Sequence, residues 1–234
     1  MTTTPTRPSA AERSPRVTKT EVVKSPKNWW VASAAVIVLA MAVAKVTLSV
    51  RHSMLPWVLG RGLGLAAIAA LAGLSLVGLW RRHPLRASLP VLKPAALAKV
   101  HTVLASATMA LLAGHVAAIL ADSYAKVGIV GALIPMQSAY QPWPVTLGTV
   151  SLWLLLLIWA TARLSKSVAK RSWKAVHRAS MFTVGCVWLH GLTIGTDSAK
   201  LRPAYIVVGA LVIAVWLSSA AMQVMQLAKK RTAP

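Results

Sequence analysis

Val100-His101-Thr102-Val103-Leu104-Ala105-Ser106-Ala107-Thr108-Met109-Ala110-Leu111-Leu112-Ala113-Gly114-His115 is an apolar stretch that carries an imidazole near each end. Further along, the chain repeats the device: Trp173-Lys174-Ala175-Val176-His177-Arg178 leads through a second apolar stretch to Leu189-His190-Gly191. The first pair of histidines is 14 residues apart and the second 13. Each pair lies on a segment long enough to cross a bilayer, which takes about 20 apolar residues. Two imidazoles at each of two depths is the arrangement that stacked six-coordinate metal centres require.

The rest of the chain agrees with a membrane setting. Of its 234 residues 56% are hydrophobic and only 13% charged, which is not the composition of an ordinary soluble domain. Six apolar spans are expected, at 29–50, 55–80, 97–121, 144–164, 174–195 and 203–228. Pro84, Pro90, Pro94, Pro135, Pro142 and Pro144 punctuate the loops between them. Residues 1–27 are rich in Thr, Pro, Ser and basic side chains, too polar to bury a core, and are expected to form a disordered tail. Residues 28–228 then form one transmembrane domain, and 229–234 a short basic tail. The expected fold class is an all-α integral membrane protein.

Charge sets the orientation. The net charge of +22 would suit nucleic acid, but its distribution argues against that partner: the basic residues sit in tails and short loops. Twenty of the 26 lie on one side, in the N-terminal tail, the 81–99 connection, the 163–178 connection and the C-terminal tail. By the positive-inside rule that side, with both termini, is cytoplasmic, in a cell inner (plasma) membrane. Trp29, Trp30, Trp80 and Trp173 fall at the inner interface, Trp57 and Trp143 at the outer one.

With that topology, spans three and five run the same way. His101 and His177 lie near their cytoplasmic ends, and His115 and His190 lie deeper. A rise of about 1.5 Å per residue separates the members of each pair by about 21 and 19.5 Å. At about 100° per residue, His115 returns to within about 40° of His101, whereas His190 falls about 140° from His177. The second span therefore needs a kink, a bulge or a tangential approach to its ligand. An isolated histidine in an apolar span is commonly just bonded to a neighbouring carbonyl, and other metals accept imidazole. Two pairs matched in depth favour haem ligation, and intramembrane ionisable residues mark function by default. His52 and His83, beside Arg51 and Arg82, read instead as solvated interfacial residues. Cys186, the only cysteine, reads as a small buried filler.

The segments 100–115 and 173–191, with their 14- and 13-residue histidine intervals, resemble the ferric reductase-like transmembrane domain. That superfamily includes NADPH oxidases, ferric reductases and the haem subunit of bacterial methionine sulfoxide reductase systems. The resemblance covers about residues 55–195, and the run His190-Gly191-Leu192-Thr193-Ile194-Gly195-Thr196-Asp197 is similar to small bacterial members without a reductase domain. It implies a six-helix bundle holding two haem b, an inner one between His101 and His177 and an outer one between His115 and His190.

Arg61, in Gly60-Arg61-Gly62-Leu63-Gly64, is placed either to pair with a haem propionate or to snorkel to the outer interface. The glycines around it read as a site of close helix packing. Lys45, near the end of span one, reads as a snorkelling cation. The only carboxylates, Glu12, Glu21, Asp122 and Asp197, all avoid the middle of a span, unlike those of most proton pumps and cation-coupled transporters. No flavin or nicotinamide domain is expected after span six. The electron donor would then be a separate cytoplasmic reductase, such as a flavoprotein, or a diffusible molecule, and the acceptor would act at the outer face. Two other readings stand beside this oxidoreductase: a haem-bearing delivery subunit of a multi-protein reductase, and a haem-free membrane scaffold or transporter.

Overall fold

The computed structural model describes residues 54–89, 92–165, 170–194 and 197–232, together with Val38 and Lys45. All regular structure among them is helical. Helix α1, Leu55–Arg82, takes a proline in its first turn, where no N–H partner is lost, and ends where His83 turns extended. A short 3-10 turn, Pro84–Ala87, leads to α2, Pro94–Ala121, which also starts on proline. A six-residue helix α3, Gly128–Leu133, precedes α4, Pro142–Arg163. Then follow α5, Lys170–Arg178, α6, Ser180–Ile194, and α7, Ser198–Thr232. The expected first span and N-terminal tail lie outside the described residues, apart from Val38 and Lys45, which are helical and exposed.

Among the described residues four helices are long and apolar enough to cross a membrane: Leu55–Arg82, Pro94–Ala121, Pro142–Arg163 and Ser198–Gln226. Only 17–22% of their most apolar 18-residue stretches is buried inside the protein. Phe182, Ile206, Val207 and Val224 are each exposed by 60% or more. In water such a surface would drive aggregation; it suits a solvent of lipid tails. The chain is thus a helical protein with membrane-like spans.

The expected fifth span, 174–195, is not one helix. It divides at Ala179 into α5 and α6, of 9 and 15 residues. Four of the nine residues of α5 are Lys or Arg, so this part lacks apolar character. At the break the Ala179 N–H reaches back only three residues, to the Val176 carbonyl at 3.0 Å. Normal α-spacing resumes with Thr183 N–H on the Ala179 carbonyl at 3.1 Å.

Helix α1 packs most extensively against α2, and α4 against α6. Helix α7 lies across α1 and α6, while α2 and α4 touch only sparingly. The protein therefore consists of two tight helix pairs with a looser seam between them.

His83 overturns the expectation of a solvated residue. It is only 6% exposed, its ring stacked on Trp80 with centroids 5.4 Å apart. Its Nδ1 accepts the Leu85 N–H, so Nε2 carries the proton and donates to Ser218 Oγ on α7, at 3.1 Å. His83→Ala removes both bonds and is expected to destabilise the protein by about 2 kcal/mol, measurable by denaturant unfolding in detergent.

Candidate functional site

Helix α2 carries His101 and His115, α5 carries His177 and α6 carries His190. The fold brings them together in the two pairs that depth predicted. His101 meets His177 with ring centroids 6.2 Å apart and planes at 69°. His115 meets His190 at 6.4 Å and 79°. All four side chains are half-buried. The break at Ala179 lies between His177 and His190, where the 13-residue interval called for a departure from a straight helix.

These separations have a chemical meaning. A metal–imidazole bond is about 2.0 Å, and a ring centre lies about 1.1 Å from its coordinating nitrogen, so two imidazoles on opposite sides of one metal have centroids about 6.3 Å apart. Both pairs sit at that distance.

In the His115/His190 pair the backbone fixes the tautomer. His115 Nδ1 is 2.7 Å from the Gly60 carbonyl, and His190 Nδ1 is 2.7 Å from the Pro144 carbonyl. A carbonyl only accepts, so each Nδ1 bears the hydrogen and each Nε2 keeps a free lone pair. A second-shell bond of this kind orients a metal-binding histidine and makes it more basic. Between these rings lies a cavity of about 220 Å³, bordered by α1, α2, α4, α6 and α7. Thr108, Leu112, Leu155 and Val187 are among its walls.

The other pair is built differently. His101 and His177 both have a buried Nδ1 with no hydrogen-bond partner among the described residues. The Leu74 carbonyl is an electrostatic neighbour of His101, but the pair falls short of hydrogen-bonding geometry. Three indoles share this condition: the Nε1 atoms of Trp80, Trp159 and Trp173 are buried and unpartnered. Trp173 stacks on His177, with centroids 5.6 Å apart and planes at 22°. Arg81 and Arg82 lie within electrostatic reach of both histidines. Buried donors are normally satisfied, so the unpartnered Trp173 Nε1, on a ring stacked against His177, suits a group that carries acceptors.

Arg61 borders the cavity, as a propionate partner should, but the protein already provides a counter-ion. Its guanidinium pairs with Asp197 and lies 4.1 Å above the centre of the Trp57 ring. The sequence did not pair Asp197 with Arg61; the two lie 136 residues apart, and only the fold joins them. Asp122, also on the cavity wall, is occupied locally, capping Tyr124 N–H at 2.9 Å and Ala125 N–H at 3.3 Å. Cys186 is buried and free, as expected of a filler.

Gly64, read from the sequence as a close-packing position, lies against a histidine ring, and the sequence reading missed two further glycines that do the same. A Cβ on Gly64 would lie 2.9 Å from His115 Nδ1, one on Gly148 2.7 Å from His190 Cε1, and one on Gly78 3.1 Å from His101 Cε1. Their signal was present: Gly64 and Gly78 are 14 apart on α1, the interval of His101 and His115 on the antiparallel α2. No protein family, curated protein or solved structure matches the chain.

Proposed function

We propose that this chain is a six-span membrane cytochrome of the ferric reductase-like kind, holding two b-type haems and carrying electrons across the plasma membrane. The observation that carries this reading is the pair of facing imidazole sets, at the 6.2 and 6.4 Å separations that an intervening metal requires. His101 and His177 would hold the haem nearer the basic, cytoplasmic side, and His115 and His190 the outer one. Haem iron supplies one-electron chemistry, and two histidines leave it no open coordination position, which favours electron transfer over ligand activation.

The protein's own residues do the rest. The Gly60 and Pro144 carbonyls hold His115 and His190 in the tautomer that offers Nε2. The unpartnered indole of Trp173, with Arg81 and Arg82, suits carboxylate oxygens on the group bound at the first pair. Arg61, shared with Asp197, would serve the second. Apolar side chains such as Leu112, Leu155 and Val187 line the cavity between His115 and His190. The donor would be a separate cytoplasmic flavoprotein or a diffusible reductant, and the acceptor would approach from the outer face.

The test is a reduced-minus-oxidised spectrum of the purified protein with haem quantitation. The expected result is b-type bands and two haems per chain; absence of haem after expression with adequate haem supply would sink the proposal.

A further inference from the structure

Glycine is the poorest helix former after proline, and alanine in its place normally stabilises a helix. Gly64 and Gly148 are interior to α1 and α4. Their presence there needs a reason that outweighs helix propensity, and the histidine rings provide it. In each case the ring lies against the bare Cα of the glycine and aims Nδ1–H at the carbonyl four residues earlier. Gly60 and Gly64 serve His115; Pro144 and Gly148 serve His190. A residue and its fourth successor share one helix face, so the carbonyl oxygen sits beside the vacated Cβ position. The same offset recurs at Leu74 and Gly78 beside His101. There the glycine contact is looser and the hydrogen bond is not made. His177 has no counterpart, since α4 contains no glycine after Gly148.

We propose that Gly64 and Gly148 are positioning residues of the His115/His190 centre, notches that let each imidazole reach a helix carbonyl while its Nε2 faces the cavity. The proposal rests on the haem reading given above. A methyl group at either notch would come within 3.0 Å of the ring. An unligated ring could swing aside, whereas a ring tied to iron cannot. The substitution therefore acts on the loaded centre: either the ring stays and loses its carbonyl bond, or the centre is not filled. Loss of that bond makes the imidazole less basic, which raises the potential of the iron it ligates.

The experiment compares Gly64→Ala and Gly148→Ala with Gly62→Ala and Gly185→Ala, positions where a Cβ would meet nothing within 4 Å. Readouts are haem per chain, the low-spin EPR signals and potentiometric titration of each centre, with helicity by circular dichroism. Expected for either notch variant is a fall from two haems toward one, or two haems with one EPR signal shifted and its midpoint raised. The controls match the parent protein. Two haems with signals and midpoints unchanged in both notch variants overturn the proposal while leaving the haem reading intact. A parent protein without haem overturns the haem reading itself. Should the notch variants unfold, Gly64→Ala is combined with His115→Ala and Gly148→Ala with His190→Ala, which removes the ring that the new methyl group would meet. Recovery of the parent's helicity in the doubles supports the proposal, and doubles as unfolded as the singles overturn it.

Discussion

His115→Ala and His190→Ala proteins are each expected to retain one haem per chain in place of two, and the double variant to retain one as well. The argument is one of shared partnership. Both rings line one cavity, 6.4 Å apart, so on the proposed haem reading either substitution would remove half the axial ligation of the same centre. Loss of a second-shell partner alone typically costs 10–100-fold in metal affinity, and loss of a ligand costs more. Once one ligand is gone, removing its mate has little left to abolish, so the effects are strongly non-additive. His101→Ala, His177→Ala and their double should behave alike at the other centre. Combining across the pairs, as in His115→Ala with His177→Ala, should leave none. The measurement is haem per chain by pyridine haemochrome, with the surviving centre identified by its EPR signal. If His115→Ala with His190→Ala loses both centres while the singles lose different ones, the pairing is wrong.

The second large effect concerns the lipid-facing surface. Ile213 lies near the middle of the Ser198–Gln226 span and is 54% exposed. In a soluble helical protein, arginine at so exposed a position changes stability by about 0.5 kcal/mol or less. At the centre of a membrane helix, exchanging isoleucine for arginine costs about 3–4 kcal/mol, a factor of several hundred in insertion. Val224, 65% exposed near the end of the same span, offers the control. Arginine there can extend its head group to the interface and should be nearly neutral. An insertion assay on the full chain, read as the membrane-integrated fraction, checks the contrast. Equal tolerance at both positions would mean that α7 does not lie in a bilayer.

Spans two, three, four and six were legible because long apolar runs need no tertiary information, and the first three also carry proline in their first turn. Pairing by depth was legible because spans three and five run the same way and carry their histidines at nearly equal intervals, 14 and 13 residues. The division of span five was foreshadowed only as an angular discrepancy; that it falls at Ala179 depends on how a basic segment meets an apolar one. His83 was misread since its burial depends on Ser218, 135 residues away, and no local pattern announces that contact. The partnership of Arg61 with Asp197 escaped for the same reason. The glycines were a missed opportunity, because their interval on α1 copies the histidine interval on α2. A backbone carbonyl as a histidine's partner leaves no mark in a sequence, which is why Gly60 and Pro144 went unnoticed.

The looser seam bears on how such a protein is assembled. Each histidine pair joins the two halves: one ring comes from the α1–α2 unit, the other from the chain that packs on α4. Each half can acquire its own internal packing during insertion, before the two are locked to one another. If the proposed cofactors bind there, their capture would be a stitching step, two rivets at two depths across a joint that α7 and the contacts of α1 with α6 already bridge.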